Sequence, residues 1–403
     1  MIERSKTAIR ALLPKKAFVR GVSVLVGGTA SAQILLVLAA PILTRLYSPE
    51  DFGLLAVYAS LLALIGVISS LRYELAIPLP EDDVEAANVA ALSLLLVAIS
   101  TALTAVLVLM LGTSIAELLG VPVLANYLWL LPVGVFLSGA YSVFNYWSVR
   151  TKRFSTIAQT KLTQAIATLA IQLAMSKFGG IGLLLGQVAG QSVGTTSLAR
   201  PALALRAFKQ VSWVAIKYAA VRYQRFPIFT AWAGLFNAAG TQLPPLIIAA
   251  FFTAAGAGLY SLAHRVLSMP MGIVGDGVRS VFFANAAQAY RNNRLSYQVE
   301  KLFDSLLKIA TPPLILITIV GGSLFSFVFG EAWQQAGILA GYMAPWLLLQ
   351  FSVGPLATVF AAIEKQGIGL LMQMQMFLIR LSALLLGVFS GDIYFVVFLF
   401  SLG

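Results

Sequence analysis

The residues in this chain that can do chemistry are charged side chains set inside apolar stretches. Arg72 and Glu74 fall in one such stretch, Lys161 in another, His264, Arg265, Asp276 and Arg279 in a third, and Arg380 in a fourth. Each ionised side chain at mid-bilayer costs about 2.5–3.5 kcal/mol on insertion scales, so their retention asks for a reason. Spacing supplies one. Lys161, Gln164, Thr168 and Gln172 step by three or four and share one helix face. Arg265, Gly272, Asp276 and Arg279 do the same, and Gln373 and Arg380 stand seven apart. A polar stripe on an apolar helix faces a water-filled cavity or another stripe, not lipid. Cations outnumber acids among these residues: Arg72, Lys161, Arg265, Arg279 and Arg380 against Glu74 and Asp276. A surplus of positive charge attracts an anion, and the planar fork of arginine suits phosphate oxygens.

The elements that must position these groups are membrane helices. Of 403 residues, 59% are hydrophobic and only 10% charged, against roughly 25% in soluble domains. Hydrocarbon is the solvent for most of such a chain. A span needs roughly 20 apolar residues. Segments of that kind cover 21–43, 52–79, 87–111, 124–149, 157–175, 180–199, 226–252, 257–283, 306–329, 338–363 and 367–389. A last run, 393–403, rises only about 16 Å as a helix, so it is expected to be an incomplete span. The expected fold class is therefore all-α: a polytopic membrane protein with about a dozen transmembrane helices. Trp129, Trp147 and Trp346 are expected at membrane interfaces, and Pro244, Pro245 and Pro270 are expected to hinge two spans.

Lysine and arginine sort by side. Six lie in the first 20 residues, and Arg150, Lys152 and Arg153 follow the fourth span. Arg200, Arg206, Lys209, Lys217, Arg222 and Arg225 follow the sixth. The alternate connections hold only Arg45 and Lys177. The positive-inside rule then places the N-terminus in the cytoplasm. The basic stretch 201–225 suits a helix lying on an anionic leaflet, and it divides the chain into an N-terminal six-helix lobe, 1–200, and a C-terminal lobe, 226–403. The lobes repeat faintly. Setting Gly53 on Gly258 places Arg72 and Glu74 beside Asp276 and Arg279, and six-span repeats around a central cavity are a transporter architecture.

Several classes are excluded. There is no cysteine and a single histidine, His264, so thiolate chemistry and the usual metal clusters are absent from the sequence. No nucleophile–base set and no cofactor motif stands out. The net charge of +12 points to membrane lipids, and with no zinc-finger, P-loop or RNP motif no nucleic acid is expected as a partner.

Five stretches then carry a resemblance: "LTRLYSPEDFG" from Leu43, "RYELAIPLP" from Arg72, "RFSTIAQTKLTQ" from Arg153, "YQRFPIF" from Tyr223 and "GLYSLAHRVLSMPMGIVG" from Gly258. In this order the chain resembles the bacterial polysaccharide-biosynthesis flippases, relatives of multidrug extruders and of the lipid II flippase. The resemblance implies two six-helix lobes around a cationic cavity. It implies alternating access that carries an undecaprenyl-pyrophosphate-linked oligosaccharide across the inner membrane, with coupling to H⁺ or Na⁺ in some members. A polysaccharide polymerase and a chain-length regulator are the candidate protein partners. The substrate-binding candidates are Arg72, Lys161, Arg265, Arg279, Arg380, Gln164, Gln172 and Gln373, and the ion-coupling candidates are Glu74 and Asp276. Asp276 departs from the small or neutral residue expected there. Two other readings compete. A cation-coupled drug extruder of the same superfamily would prefer an acidic cavity. A membrane polymerase or ligase would carry a large outward loop, whereas the outward connections here are about ten residues or fewer.

Overall fold

The computed structural model describes residues 16–291, 295–356 and 366–403; side chains at some helical positions in these ranges, including Asp276 and Arg279, lie outside the description. Among the described residues there is no strand. The helices, in chain order, are α1 (Lys16–Leu38), α2 (Ala40–Leu46), α3 (Pro49–Ile68), α4 (Asp83–Leu118), α5 (Leu130–Arg150), α6 (Phe154–Ala174) and α7 (Gly180–Leu203). Then come α8 (Trp213–Arg222), α9 (Ala231–Phe251), α10 (Ala254–Arg291), α11 (Leu295–Phe329), α12 (Gln334–Val353), α13 (Gln366–Val388) and α14 (Ile393–Leu402). Helical stretches at 26–46, 49–68, 83–118, 295–329, 331–353 and 371–388 are long and apolar enough to cross a membrane. The protein is a multi-pass membrane protein.

The stretch Leu43–Gly53 shows how sequence sets local structure. Ser48 caps α3: its hydroxyl accepts from the Asp51 amide (3.2 Å), and the Asp51 carboxylate accepts from the Ser48 amide (3.0 Å). Pro49 occupies the first turn, where no amide donor is needed. Phe52 meets the Trp333 ring edge-on at 4.9 Å, and the Trp333 indole donates to the Thr44 carbonyl (3.0 Å). Gly53 lets α3 cross α10: a Cβ there would lie 1.9 Å from the Ala254 carbonyl oxygen. Gly258 answers it, since its Cβ would lie 2.0 Å from the Pro49 carbonyl oxygen. Each glycine meets the residue four before the other, so the contact is reciprocal. Close backbone approach through small residues is the means of helix association in hydrocarbon, where apolar burial gains little.

The two halves repeat more than this crossing. α4 has 36 residues and α11 has 35; α5 has 21 and α12 has 20. Both long helices run into a left-handed glycine, Gly120 (φ 66°) or Gly330 (φ 106°), followed by a short 3-10 turn. Gly179 (φ 68°) and Gly391 (φ 70°) mark the equivalent turns before α7 and α14. Symmetry breaks after α3. α10 continues to Arg291, whereas α3 ends at Ile68. Arg72 and Glu74 therefore lie beyond the helix rather than inside a span, in a turn where Leu71 (φ 50°) and Arg72 (φ 65°) are both left-handed.

At the lysine-poor ends of the helices, one apolar core joins the halves, with Val57, Tyr58, Leu124, Ile248, Tyr260, Trp333 and Leu339 all buried. A second core fixes α8 against the start of α4 through Ala87, Ala90, Trp147, Ala219 and Tyr223. The Ser212 amide donates to the Asn88 side chain (3.0 Å), and Arg222 pairs with Glu85 (2.8 Å). The other face of α8 exposes Trp213, Val214, Tyr218 and Val221 beside its basic residues. Trp147 and Trp346 are buried core side chains, not interface anchors, while Trp129 is exposed. Pro244, Pro245 and Pro270 sit inside continuous helices without breaking them.

Candidate functional site

Two helices build most of the wall of one polar cavity. α6 brings Lys161, Gln164, Thr168 and Gln172, and residues 161–172 span about 16 Å of helix. α7 brings Gln187 and Gln191. The two pack closely because α7 carries glycine at 182, 186, 190 and 194. A Cβ at Gly190 would lie 2.0 Å from the Thr168 hydroxyl, and one at Gly194 would lie 1.8 Å from the Gln164 amide nitrogen. Part of the α6 stripe thus faces a glycine ridge. Gln172 is the clearest case: it is buried, and its side chain donates to the Leu183 carbonyl (3.2 Å). The remainder opens to the cavity.

That cavity has a volume of about 500 Å³ and is closed opposite α6 by Gln33, Leu55, Tyr141 and Arg265. Arg265 and Leu55 also line a smaller chamber of about 180 Å³ with Gln242, Tyr260 and His264. A third chamber, about 290 Å³, holds Arg72 and Glu74 and shares Ser138, Ser142, Gln187 and Gln191 with the first. The fold therefore gathers Lys161, Gln164, Gln172, Arg265, Arg72 and Glu74 around adjoining spaces that share lining residues. Arg380 lies outside these linings: it covers the rings of Trp346 and Phe400, each at 5.9 Å. Gln373 is exposed on the same helix. The side chains of Asp276 and Arg279 lie outside the described residues.

The electrostatics are lopsided. Among the described residues the ion pairs are Arg72–Glu74 (3.7 Å), Arg150–Asp83 (2.9 Å) and Arg222–Glu85 (2.8 Å). Lys161, Arg265 and Arg380 have no described acid within pairing distance. Lys161 stands over the Tyr141 ring at 4.6 Å, a weaker partner than a carboxylate. The Tyr141 hydroxyl, the Gln191 Oε1 and the Arg72 Nε are buried without a hydrogen-bond partner. Unsatisfied buried groups of this kind cost about 1–3 kcal/mol each and mark places where another molecule can bind.

Glu74 lies outside the spanning helices and is 3% exposed. Burial pushes its carboxyl above the usual carboxylate range, while hydrogen bonds from Ser70 and its own backbone, together with Arg72, pull the other way. His264 does no comparable work. Its ring stacks between Trp346 (5.3 Å) and Tyr260 (6.2 Å) as part of the core. Gln187 and Gln191 were not picked out from the sequence, although two amides four apart on an apolar helix are the same signal that marked α6.

Residues 42–337 match the model of a family described as polysaccharide biosynthesis protein. The chain belongs to that family. It is 25% identical over 317 residues to the succinoglycan biosynthesis transport protein ExoT of Rhizobium meliloti (strain 1021), a match that covers 75% of this chain and 61% of that protein. It is also 25% identical over 138 residues to the teichuronic acid biosynthesis protein TuaB of Bacillus subtilis (strain 168), covering 34% of this chain and 29% of that one. The chain thus spans less than two thirds of the length of these relatives. Two solved structures share the fold. The lipid II flippase MurJ, in an inward closed conformation, aligns with a TM-score of 0.77 at 12% identity, over 94% of this chain and 84% of that one. An inward-facing multidrug resistance MATE family transporter of the MOP superfamily aligns with a TM-score of 0.70 at 15% identity, over 92% and 90%. The family member described here therefore has the fold of multi-span transporters.

Proposed function

We propose that this protein moves a lipid-linked anionic oligosaccharide, of the undecaprenyl-pyrophosphate class, from the cytoplasmic to the periplasmic leaflet of a bacterial inner membrane. The observation that carries the reading is a single cavity lined by both Lys161 and Arg265, neither with a described acid partner. Such cations favour a phosphoryl group, and the surrounding amides and hydroxyls of Gln33, Gln187, Gln191 and Ser142 suit sugar hydroxyls. The lipid tail stays in the bilayer while the head crosses the cavity. The joint apolar core and the Gly53–Gly258 crossing close the lysine-poor end, so the head enters from the basic, cytoplasmic end. Rocking of the two halves then reverses access. A cationic cavity disfavours the competing drug-extruder reading, whose substrates are mostly cations. The test is polymer export in a strain that depends on this protein. Lys161→Ala combined with Arg265→Ala stops export while the protein remains in the membrane at its normal level; normal export by that variant contradicts the reading.

A further inference from the structure

The place where the two halves differ holds a second arrangement. The turn after α3 puts two non-glycine residues in left-handed backbone, each at a cost of about 1–2 kcal/mol, and such strain persists only where its surroundings enforce it. It points the Arg72 guanidinium across the interface onto α9. A Cβ at Gly234 would lie 2.6 Å from Arg72 Nη2 and 2.9 Å from Nε, so the flat group rests directly against this glycine. Arg72 is nonetheless poorly satisfied. Its contact with Glu74 is 3.7 Å, an ion pair beyond hydrogen-bond length, and its Nε has no partner. Glu74, by contrast, is buried and accepts from the Ser70 hydroxyl. Both line the 290 Å³ chamber, whose wall shares Gln187 and Gln191 with the adjoining cavity of Lys161 and Arg265.

We propose that Arg72 is an exchangeable cation: a phosphoryl oxygen of the substrate takes it from Glu74, and the carboxylate left behind takes up one proton from water. The proposal rests on the cavity reading above and adds the coupling of anion binding to protonation. The driving force is local. A carboxylate that loses its cation in a buried site lowers its free energy by neutralising. Among the described residues no other cation stands within pairing distance of Glu74. α5 faces the pair with Ser138 and Ser142, and the phenol of Tyr146 lies on the same helix within electrostatic reach. α7 faces it with Gln187 and Gln191, and α9 with Gly234. The start of α4 packs on the turn through Ala86, Ala87 and Ala90. The next cations, Lys161 and Arg265, belong to the adjoining cavity.

Calorimetric titration of the purified protein with farnesyl pyrophosphate, run near pH 7 in two buffers of different ionisation enthalpy, counts the protons taken up on binding. Wild type is expected to take up about one proton more per bound ligand than Glu74→Gln, which keeps the shape but cannot titrate. Arg72→Gln gives the same comparison by another route: its Glu74 has no cation to lose, so the extra uptake disappears and affinity falls at least about tenfold, the loss of one charge-assisted contact. Equal uptake by wild type and both variants, with binding intact, overturns the exchange while leaving the cavity reading standing. Failure of farnesyl pyrophosphate to bind wild type overturns the cavity reading, and the exchange with it.

Discussion

Replacing Gly53 by alanine should destabilise the protein measurably, although alanine is the better helix former. The new methyl would stand 1.9 Å from the Ala254 carbonyl oxygen, where real Cβ contacts essentially never come under 3.0 Å. The obstacle is backbone, so it cannot rotate away, and α3 and α10 must separate by about 1 Å. Overpacking of this kind costs about 1–3 kcal/mol, against a helix-propensity gain of about 1 kcal/mol. A backbone obstacle at 1.9 Å belongs at the upper end of that range, so the net loss is about 2 kcal/mol, read as a fall of a few degrees in Tm. Gly258→Ala meets the Pro49 carbonyl oxygen at 2.0 Å and should cost a similar amount. Both methyls press on one crossing, so the helices separated by the first make room for the second. The double variant should therefore lose less than the sum, with a coupling of at least about 0.5 kcal/mol. Gly27 and Gly28 supply an internal control. A Cβ at Gly27 meets nothing within 4 Å, whereas one at Gly28 lies 2.4 Å from the Ala158 Cβ. Gly27→Ala should be neutral or stabilising and Gly28→Ala destabilising. Thermal unfolding of purified single and double variants measures all of this. Neutral single variants at 53 and 258, or strictly additive losses, would refute the reciprocal crossing.

Three further outcomes follow from the same geometry. Lys161→Met removes a buried cation with no described acid partner, so Tm should rise while export falls, the trade expected of a group kept for function; thermal unfolding and an export assay together check it. Glu74 binds its proton more tightly in the fold than in the unfolded chain, so its contribution to stability is full below its ordinary value of 4.5 and declines as pH rises through the elevated folded value. Glu74→Gln should flatten that slope in a series of Tm measurements from acid to neutral pH. Arg150 donates to Asp83 (2.9 and 3.1 Å) and to the Glu81 carbonyl (3.0 Å), pinning the connection between α3 and α4. Arg150→Ala should speed proteolytic cleavage around residues 80–83 several-fold, with little change at α11.

The long apolar runs made the helices legible in the sequence, because hydrocarbon admits no other way to satisfy a single segment's backbone. The repeat was legible at Gly53 and Gly258, and the structure brings those two residues into mutual contact. The end of α3 was not. Ser69 to Glu74 continues an apolar pattern, and nothing in residue type announces left-handed backbone at Leu71 and Arg72. The stripe on α6 is visible in the spacing, but its partition was hidden: which members meet the glycines of α7 and which meet the cavity depends on the rotation of two helices. Trp346 reads as an interfacial residue by type, yet the stack with His264 holds it in the core. Arg380 shares a face with Gln373 in sequence, while its contacts are set by α12 and α14, elements that local spacing does not see.

The central claim is that unpaired cations in the cavity hold a phosphoryl anion. Its most direct test is the affinity of the purified protein for farnesyl pyrophosphate beside farnesol, in wild type and in Lys161→Ala/Arg265→Ala. The account predicts that the pyrophosphate binds wild type, weakens as salt rises, and loses at least about a hundredfold in the variant, at roughly a factor of ten for each charge-assisted contact removed. Equal binding of the alcohol and the pyrophosphate, or undiminished pyrophosphate binding by the variant, would contradict it.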